Sequence, residues 1–394
     1  MIPHFFENGI FTERKGDPIY ISEWLNLLKQ GLELLEEGRG LALVTLIRIE
    51  GSSYRGLGTR MLVDSHGQTY GHISGGCLEA DVAIRAKLTQ ETGKAQWLHY
   101  DSRQDGDLLW GLGLGCDGTL DLLVENFSQR WISALFAHLS SIAPANGFAL
   151  LSTAFQRVGN REVCIWGHEL NGPLREPLID AVHPLAKDFF ALSRVDEMHA
   201  TQKPWLHDIS FKDWSLGIFR DVLSSPPRVW ICGRGFDVEP IARLVDFLGW
   251  PVQIFCHKPL AGPEAVRLGS YPKTVCPPQA CADMDNPTSN TAILIMTHHF
   301  ETDKAYLTHF LGTKASYLGL LGPRSRTQRM LAELSETLTV DLLNDPRLFF
   351  PIGLDIGAES PREIALAVVA EIHTHFAGRN GGFLKHRRGP IHPR

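Results

Sequence analysis

The chain lacks the features that mark secreted, membrane-spanning and disulfide-bonded proteins. Its seven cysteines are scattered without a CxxC pair, so neither a disulfide framework nor a zinc ribbon is supported. No stretch approaches the roughly 20 apolar residues that span a bilayer, and residues 1–16 lack the cationic and apolar regions of a signal peptide. The formal net charge of -6 argues against general nucleic-acid binding, which needs a basic surface. We therefore expect a cytoplasmic protein with free thiols that binds neither membranes nor nucleic acid.

Length and composition favour two folded domains. At 394 residues the chain exceeds the usual limit of one hydrophobic core, and 44% hydrophobic with 21% charged residues is ordinary for a globular protein. The changes in pattern along the chain predict an N-terminal extension over 1–20, a first domain over 21–185, a linker region over 186–226, a second domain over 227–376 and a basic, disordered tail over 377–394.

The first domain is predicted to be α+β. Apolar residues at helical spacing indicate helices over 21–37 and 78–92. Asp64-Ser65-His66-Gly67 lies between two short apolar runs and indicates a hairpin. The strands predicted for a mixed or antiparallel sheet are 41–47, 60–63, 69–73, 119–124, 148–152 and 162–166.

The second domain alternates strand and helix patterns, which is typical of a parallel sheet with helices on both faces. Its last helix has a strong start signal, because Ser360-Pro361-Arg362-Glu363 combines an N-cap, a proline and a capping-box glutamate. The predicted strands are 229–232, 252–256, 292–296 and 317–321. The fold class is therefore α/β, with an N-terminal α+β domain followed by a Rossmann-like parallel-sheet domain.

A glycine turn follows the first strand of the second domain. Gly233-Arg234-Gly235 precedes a predicted helix, where a phosphate-binding turn would lie. The third glycine of the fingerprint is replaced by Val238, and His257 and Lys258 stand where an acidic residue would hold a ribose diol. These two side chains suit a phosphate better, which would favour NADP. The alternative is a strand–helix turn that binds nothing.

Two further segments end at the same edge of the predicted sheet. His298 and Gly322-Pro323-Arg324 also follow strands, and ligands dock at the carboxyl edge of open α/β sheets. Arg324 is suited to a phosphate contact. The predicted nucleotide-binding residues are Gly233, Gly235, His257, Lys258, His298, Gly322 and Arg324.

The first domain contains three glycine-rich loops. Ser74-Gly75-Gly76-Cys77-Leu78-Glu79 leads into a helix, so its backbone amides and the helix dipole form a potential anion site. Residues 111–118 form the second loop and contain Cys116. The third loop, Gly51-Ser52-Ser53-Tyr54-Arg55, is followed closely by Arg60.

Each loop alone could be a plain turn, and a free cysteine is usually a small buried hydrophobe. Together the loops place backbone donors, guanidinium groups and two thiols in one domain. Thiolates suit soft metals and sulfur transfer, and a helix N-terminus lowers the pKa of a thiol.

These motifs together resemble the XdhC/CoxI family, accessory proteins for molybdenum-containing hydroxylases such as xanthine dehydrogenase. The resemblance implies a chaperone that binds molybdenum cofactor, protects it while the terminal sulfido ligand is installed, and inserts it into an apo-enzyme. The matching stretches are 50–53, 58, 61, 74–79, 113–116 and 125 in the first domain, and 233–235, 296–298, 317–322, 324 and 351–358 in the second.

In this interpretation the phosphate of the pterin lies on the Gly75–Gly76 loop, with Arg55 or Arg60 as its charge partner. Cys116, with Cys77 as the second candidate, contacts the metal or carries sulfur, and Glu79 hydrogen-bonds the pterin or fixes the loop. The predicted cofactor-binding residues are Cys116, Cys77, Gly75, Gly76, Glu79, Arg55, Arg60, Ser52 and Gly115, with Cys116 as the metal ligand and no catalytic residue.

The expected partners are a molybdoenzyme apo-protein and a cysteine desulfurase, and the chain is expected to be a homodimer. One alternative is an NADP-dependent oxidoreductase that uses the second domain. Another is a protein–protein adaptor whose cofactor site no longer binds the cofactor.

Overall fold

The computed structural model describes residues 19–51, 53–76, 78–101, 118–142, 148–158, 162–171, 204–210, 214–278, 280, 286–338 and 342–388. The chain divides into two compact units between Ser225 and Pro226. Within these described ranges, no helix is both long enough and apolar enough to cross a membrane.

The first unit contains one large sheet and three helices among the described residues. The strands run in the order β1-β10-β7-β8-β5-β6-β2-β3-β4, with β9 paired to β10. All pairs are antiparallel except β1 with β10, so the predicted mixed sheet of an α+β domain is confirmed. The elements are β1 (Ile19–Tyr20), α1 (Ile21–Glu36), β2 (Leu41–Gly51), β3 (Arg60–Asp64), β4 (Thr69–Gly71), α2 (Glu79–Thr92), β5 (Ala95–Asp101), β6 (Gly118–Asn126), α3 (Gln129–Ile142), β7 (Phe148–Val158), β8 (Glu162–Asn171), β9 (Trp205–Ser210) and β10 (Trp214–Ser224).

Both faces of this sheet are covered, which explains the continuous apolar run of β2. Leu41 and Leu43 pack with residues of α1 and α3, whereas Ala42 and Val44 pack with residues of α2. Because side chains alternate along a strand, a strand buried on both faces reads as uninterrupted hydrophobic sequence.

The segment 186–226, predicted as a linker, contains two strands of this sheet. β10 pairs with β7 along its whole length, from Trp214 opposite Val158 to Ser224 opposite Phe148. Pro204 and Pro226 flank β9 and β10 and do not interrupt either strand. The prolines therefore mark the ends of the strands, and the structure differs from the predicted linker over 204–224.

The described residues of the second unit form a six-stranded parallel sheet with helices on both faces, as predicted for a Rossmann-like domain. The strand order is β13-β12-β11-β14-β15-β16, and all pairs are parallel. The strand order reverses between β11 and β14, where ligands dock in such sheets. The elements are β11 (Arg228–Cys232), α4 (Val238–Phe247), β12 (Val252–Cys256), α5 (Pro263–Arg267), β13 (Lys273–Val275), β14 (Thr291–Ile295), α6 (Phe300–Leu311), β15 (Tyr317–Leu320), α7 (Arg324–Leu338), β16 (Leu348–Phe349) and α8 (Pro361–Phe376).

The last helix begins as its sequence predicts. The Ser360 side chain accepts a hydrogen bond from the backbone of Glu363, whose carboxylate accepts one from the Ser360 backbone. Beyond this helix, residues 377–388 include a short 3-10 turn over Leu384–His386, within the segment predicted as a disordered tail.

Candidate functional site

The strand register places the described residues that flank the three predicted loops of the first unit at one edge of its sheet. Gly51, the last residue of β2, lies opposite Gly118, the first residue of β6. The neighbouring strand β3 begins at Arg60, and β4 ends at Gly71 beside it. Residues 72–76 therefore leave the sheet from the same end of its strands as Gly51 and Gly118, although β3 pairs with β2 only as far as Thr45, six residues before Gly51. We call this edge the glycine edge.

Two glycines allow the close packing at the glycine edge. A Cβ atom on Gly118 would lie 2.1 Å from the carbonyl oxygen of Glu50. Gly58 has a φ of +81°, and a Cβ atom there would lie 2.7 Å from Oδ1 of Asp221. No larger residue fits at either position without moving its neighbours.

Arg60 is buried beneath the edge. Its guanidinium forms an ion pair with Asp221, donates a hydrogen bond to the carbonyl oxygen of Gly58 at 2.6 Å and lies 4.2 Å from the ring centre of Trp24. Arg60 is 7% exposed and Asp221 is fully buried. Burial raises the pKa of Asp221, and the charge of Arg60 opposes that rise. Arg60 thus holds the edge together and presents little charge to a ligand.

Arg55 is the more accessible of the two predicted charge partners. Its guanidinium forms an ion pair with Glu23 of α1, and both side chains remain partly exposed. The hydroxyl of Ser53 donates a hydrogen bond to the Arg55 carbonyl oxygen at 2.9 Å. A surface ion pair of this kind is weak, so Arg55 can exchange Glu23 for another anion.

Glu79 fixes the loop over 74–78 from the first turn of α2. One carboxylate oxygen accepts the Ser74 amide at 2.9 Å. The other accepts the Ser74 hydroxyl at 2.5 Å and the Leu78 amide at 3.2 Å. The Ser74 hydroxyl oxygen in turn accepts the Gly76 amide at 3.1 Å. The Glu79 carboxylate therefore accepts hydrogen bonds from most of the described donors of this loop. The sequence had suggested these donors for a bound anion.

The tip of this loop remains open. Gly75 and Gly76 are exposed, and nothing lies within 4 Å of a Cβ atom built on either residue. Burial raises the pKa of Glu79, but the hydrogen bonds from Ser74 and its neighbours outweigh it, so the pKa lies below its ordinary value. Glu79 is thus charged at neutral pH, and a ligand can reach the glycines.

Four predicted cofactor-binding residues lie outside the described residues, and their roles stay predictions: Ser52, Cys77, Gly115 and Cys116. Among the cysteines that the structure describes, Cys164 is exposed, and Cys232, Cys256 and Cys276 are buried. The described part of the chain contains no group of three or more metal-ligating side chains.

The second unit places Gly233, Gly235 and His298 together at the carboxyl edge of its sheet. A Cβ atom on Gly233 would lie 2.7 Å from the Met296 carbonyl oxygen. A Cβ atom on Gly235 would lie 2.4 Å from Oδ1 of Asp237 and 3.2 Å from Nε2 of His298. The space that the second glycine of a dinucleotide fingerprint leaves for pyrophosphate is therefore filled by a carboxylate and an imidazole.

His298 adopts a backbone conformation that few non-glycine residues adopt, with a φ of +63°. Its Nε2 lies 2.8 Å from Oδ2 of Asp237. The adjoining turn is fixed by Asp303, which accepts hydrogen bonds from the amide and hydroxyl of Thr297 at 3.0 and 2.6 Å and from Arg326 at 2.7 Å. Asp237 was not among the predicted site residues, although an acidic residue at a helix start is a sign visible in the sequence.

The other predicted nucleotide-binding residues surround this edge. Burial, with the charges of Arg234 and Lys258, lowers the pKa of His257, so its imidazole is largely neutral at pH 7. The guanidinium of Arg324 lies 5.5 Å from the ring centre of Phe350. Gly322 has a φ of +121° and follows β15 at the same edge.

Comparison with known proteins agrees with this two-unit architecture. The profile of the XdhC and CoxI family matches residues 34–101, and the profile of the XdhC Rossmann domain matches residues 229–372. A solved structure described as a xanthine dehydrogenase from Bacillus halodurans has a TM-score of 0.70 and 24% identity, and covers 92% of this chain and 97% of its own. That structure shares the fold.

Two named relatives match most of the chain. A probable xanthine dehydrogenase subunit from Bacillus subtilis is 28% identical over 348 residues, covering 86% of this chain and 94% of the relative. The molybdenum cofactor insertion chaperone PaoD of Escherichia coli is 24% identical over 346 residues, covering 88% and 86%. The fold and the two profiles thus define a class of two-domain proteins with an XdhC Rossmann domain. This chain belongs to the XdhC/CoxI family.

The names of these relatives give no support to NADP binding, and Asp237 supplies a physical reason against it. A carboxylate at the start of α4 interacts favourably with the helix dipole and repels a pyrophosphate. The negative charge of Asp237 opposes the binding of the phosphate that His257 and Lys258 suggested.

We predict that Gly58→Ala destabilises the protein more than Gly38→Ala does. Both glycines have nearly the same φ, +81° and +79°, so the backbone strain, about 1–2 kcal/mol, is shared. Only Gly58 faces Asp221, whereas nothing lies within 4 Å of a Cβ atom on Gly38. Equal losses of unfolding free energy in denaturant titrations would show that the contact with Asp221 is unimportant.

We predict that Glu79→Gln lowers the unfolding free energy by about 1–3 kcal/mol at pH 7, because an amide nitrogen replaces one of the two accepting oxygens and leaves buried donors unpaired. Since the folded-state pKa is lowered, this contribution is present above the ordinary glutamate pKa of about 4.3 and is lost as the pH falls through the folded value. The difference from wild type should therefore shrink toward pH 3. Glu91→Gln, at an exposed site on the same helix, is the control, and a pH-independent difference contradicts the assignment.

We predict that neither NAD nor NADP raises the melting temperature of the protein, because the Asp237 carboxylate occupies the pyrophosphate position. A bound ligand at about 100 times its dissociation constant would add about 2.7 kcal/mol of stability. A rise of the same size in wild type and in Asp237→Asn would show that the carboxylate does not exclude the nucleotide.

Proposed function

We propose that this chain is an accessory protein that binds molybdenum cofactor in the cytoplasm, protects it during sulfuration and inserts it into a xanthine dehydrogenase-type molybdoenzyme. In this proposal the cofactor is cargo. The protein receives it and passes it on with the pterin unchanged. The observation that carries the proposal is the pairing of Gly51 with Gly118, which brings together the strand ends that flank two of the predicted glycine loops.

The family and the relatives support this function. The two family profiles together match more than half of the chain. PaoD, named as a molybdenum cofactor insertion chaperone, and the probable xanthine dehydrogenase subunit from Bacillus subtilis match over most of their own lengths. Alignment over both units favours a shared accessory role.

The residues of the glycine edge suggest how the cargo is held. We propose that Cys116 ligates molybdenum, with Cys77 as a second thiol, and that Ser52 and Gly115 adjoin them. The exposed Gly75–Gly76 tip admits the phosphate of the cofactor, and Arg55 is its charge partner. We assign Glu79 to fixing the loop and Arg60 to holding the edge, because their described contacts are internal.

The proposal implies two protein partners. A molybdoenzyme apo-protein receives the cargo, and a cysteine desulfurase supplies the sulfur for the terminal sulfido ligand. A homodimer remains our expectation for the assembly of the chain.

The proposal is tested by loading the purified protein with isolated molybdenum cofactor and measuring retained molybdenum after gel filtration. We predict at least a ten-fold loss of retained metal in Cys116→Ala, because a thiolate ligand is removed. Cys164→Ala is the control, since it removes an exposed thiol that has no part in the proposed site.

Two results contradict the proposal in different ways. Equal retention by wild type and Cys116→Ala contradicts the thiol role. No retention by wild type contradicts cargo binding itself. Reconstitution of apo-xanthine dehydrogenase by the loaded protein then measures insertion.

A further inference from the structure

An ion pair joins helix α1 to the loop that follows β2. Oε1 of Glu23 contacts Nη2 of Arg55, the arginine assigned above to the phosphate of the cargo. Glu23 was not among the predicted site residues. Its carboxylate contacts the same guanidinium that is assigned to the phosphate, so the two anions compete for Arg55.

The backbone of the loop fixes the position of Arg55. The Ser53 hydroxyl donates a hydrogen bond to the Arg55 carbonyl oxygen at 2.9 Å. The amide and the hydroxyl of Thr59 donate to the Gly56 carbonyl oxygen at 3.3 and 2.8 Å, and Leu57 between them is buried. The chain is therefore anchored on both sides of Arg55, and a change of ionic partner requires only rotation of side chains.

Glu23 uses only part of the guanidinium of Arg55. The ion pair joins one carboxylate oxygen to Nη2. Nε, on the same edge of the guanidinium, is shielded from solvent and has no hydrogen-bond partner among the described residues. A guanidinium binds an oxyanion most strongly through two parallel N–H groups. An anion that accepts from both nitrogens therefore satisfies this edge better than Glu23 does.

Glu23 can leave Arg55 at little cost. Its side chain is 53% exposed, so the carboxylate is hydrated whether or not it is paired. It also lies in the first turn of α1, where the helix dipole stabilises a negative charge. An exposed ion pair contributes little stability, unlike the buried pair between Arg60 and Asp221.

The start of α1 does not have to move when Glu23 changes partner. Ile21 and Trp24, on either side of Glu23, are buried, and the Trp24 ring lies 4.2 Å from the guanidinium of Arg60. These contacts hold the first turn against the sheet. The Glu23 side chain therefore acts as a tethered carboxylate that stays within reach of Arg55.

We propose that Glu23 replaces the phosphate of the cargo on Arg55 and so promotes release of the cargo. The inference rests on the proposed function and adds a release residue to it. A tethered carboxylate competes continuously with the phosphate, so it weakens binding and leaves Arg55 paired when the cargo departs. A phosphate monoester still displaces the carboxylate, because it carries about two negative charges and three acceptor oxygens.

The first test is isothermal titration of the full chain with phenyl phosphate, a phosphate monoester without a pterin. An exposed ion pair changes an equilibrium constant by a factor of about 1.5–5. We therefore expect Glu23→Gln to bind phenyl phosphate about two- to five-fold more tightly than wild type. Equal or weaker binding by Glu23→Gln, or no binding by either protein, overturns the proposal.

Two further backgrounds show whether Glu23 acts through Arg55. Glu36→Gln removes the same charge at the exposed last residue of α1 and should leave the affinity within 1.5-fold of wild type. In an Arg55→Gln background, Glu23→Gln should have no effect. A comparable gain in either case indicates a general effect of charge and overturns the role of Glu23. A changed melting temperature with unchanged affinity assigns the ion pair to stability alone.

The second test measures release of the cargo. Wild type and Glu23→Gln are loaded with isolated molybdenum cofactor, and retained molybdenum is followed over time by repeated gel filtration. We expect Glu23→Gln to retain the metal at least two-fold longer and to transfer it more slowly to apo-xanthine dehydrogenase. Release at an unchanged rate overturns the proposal. No retention by wild type contradicts cargo binding itself, and the phenyl phosphate titration, which needs no cofactor, then decides the role of Glu23 separately.

Discussion

The buried ion pair between Arg60 and Asp221 is the interaction on which the glycine edge depends. It joins the first residue of β3 to β10, 161 residues further along the chain. Removing one partner of such a pair leaves an uncompensated buried charge and costs about 3–5 kcal/mol. The same pair requires glycine at position 58, because no side chain fits beside Asp221. The loop geometry is therefore set by a contact deep beneath the surface.

A second constraint recurs in both units. The helix starts that the sequence suggested for anions already hold protein carboxylates, Glu79 at α2 and Asp237 at α4. A helix dipole stabilises any negative charge near its N-terminus, so a glycine turn before a helix does not distinguish a bound phosphate from a neighbouring side chain. In the first unit the exposed glycine tip and the thiols therefore remain as the basis for the binding that we propose, and in the second unit the carboxylate opposes a pyrophosphate.

Local patterns predicted much of the fold. The apolar periodicity of α1, the continuous strand β2 and the capping box of α8 are determined by neighbours in sequence, and the structure contains all three. Helix α3 was not predicted, although Ile132, Leu135 and Leu139 follow helical spacing and are buried.

The parts that the sequence did not predict depend on distant partners. β10 lies in the segment expected to be a linker, and its place in the sheet is determined by pairing with β7. The partnership of Arg60 with Asp221 has no local signal, and Arg60 therefore looked like a free charge for a ligand. The register shift in β8 between Ile165 and Gly167 likewise has no signal in the periodicity of the sequence.

Hydrogen exchange of the protein with and without isolated molybdenum cofactor tests the central claim most directly, because it maps the cargo onto one of the two units. We predict slower exchange on loading in peptides that cover residues 51–60, 72–79 and 102–120. Slower exchange confined to residues 229–372 would contradict it.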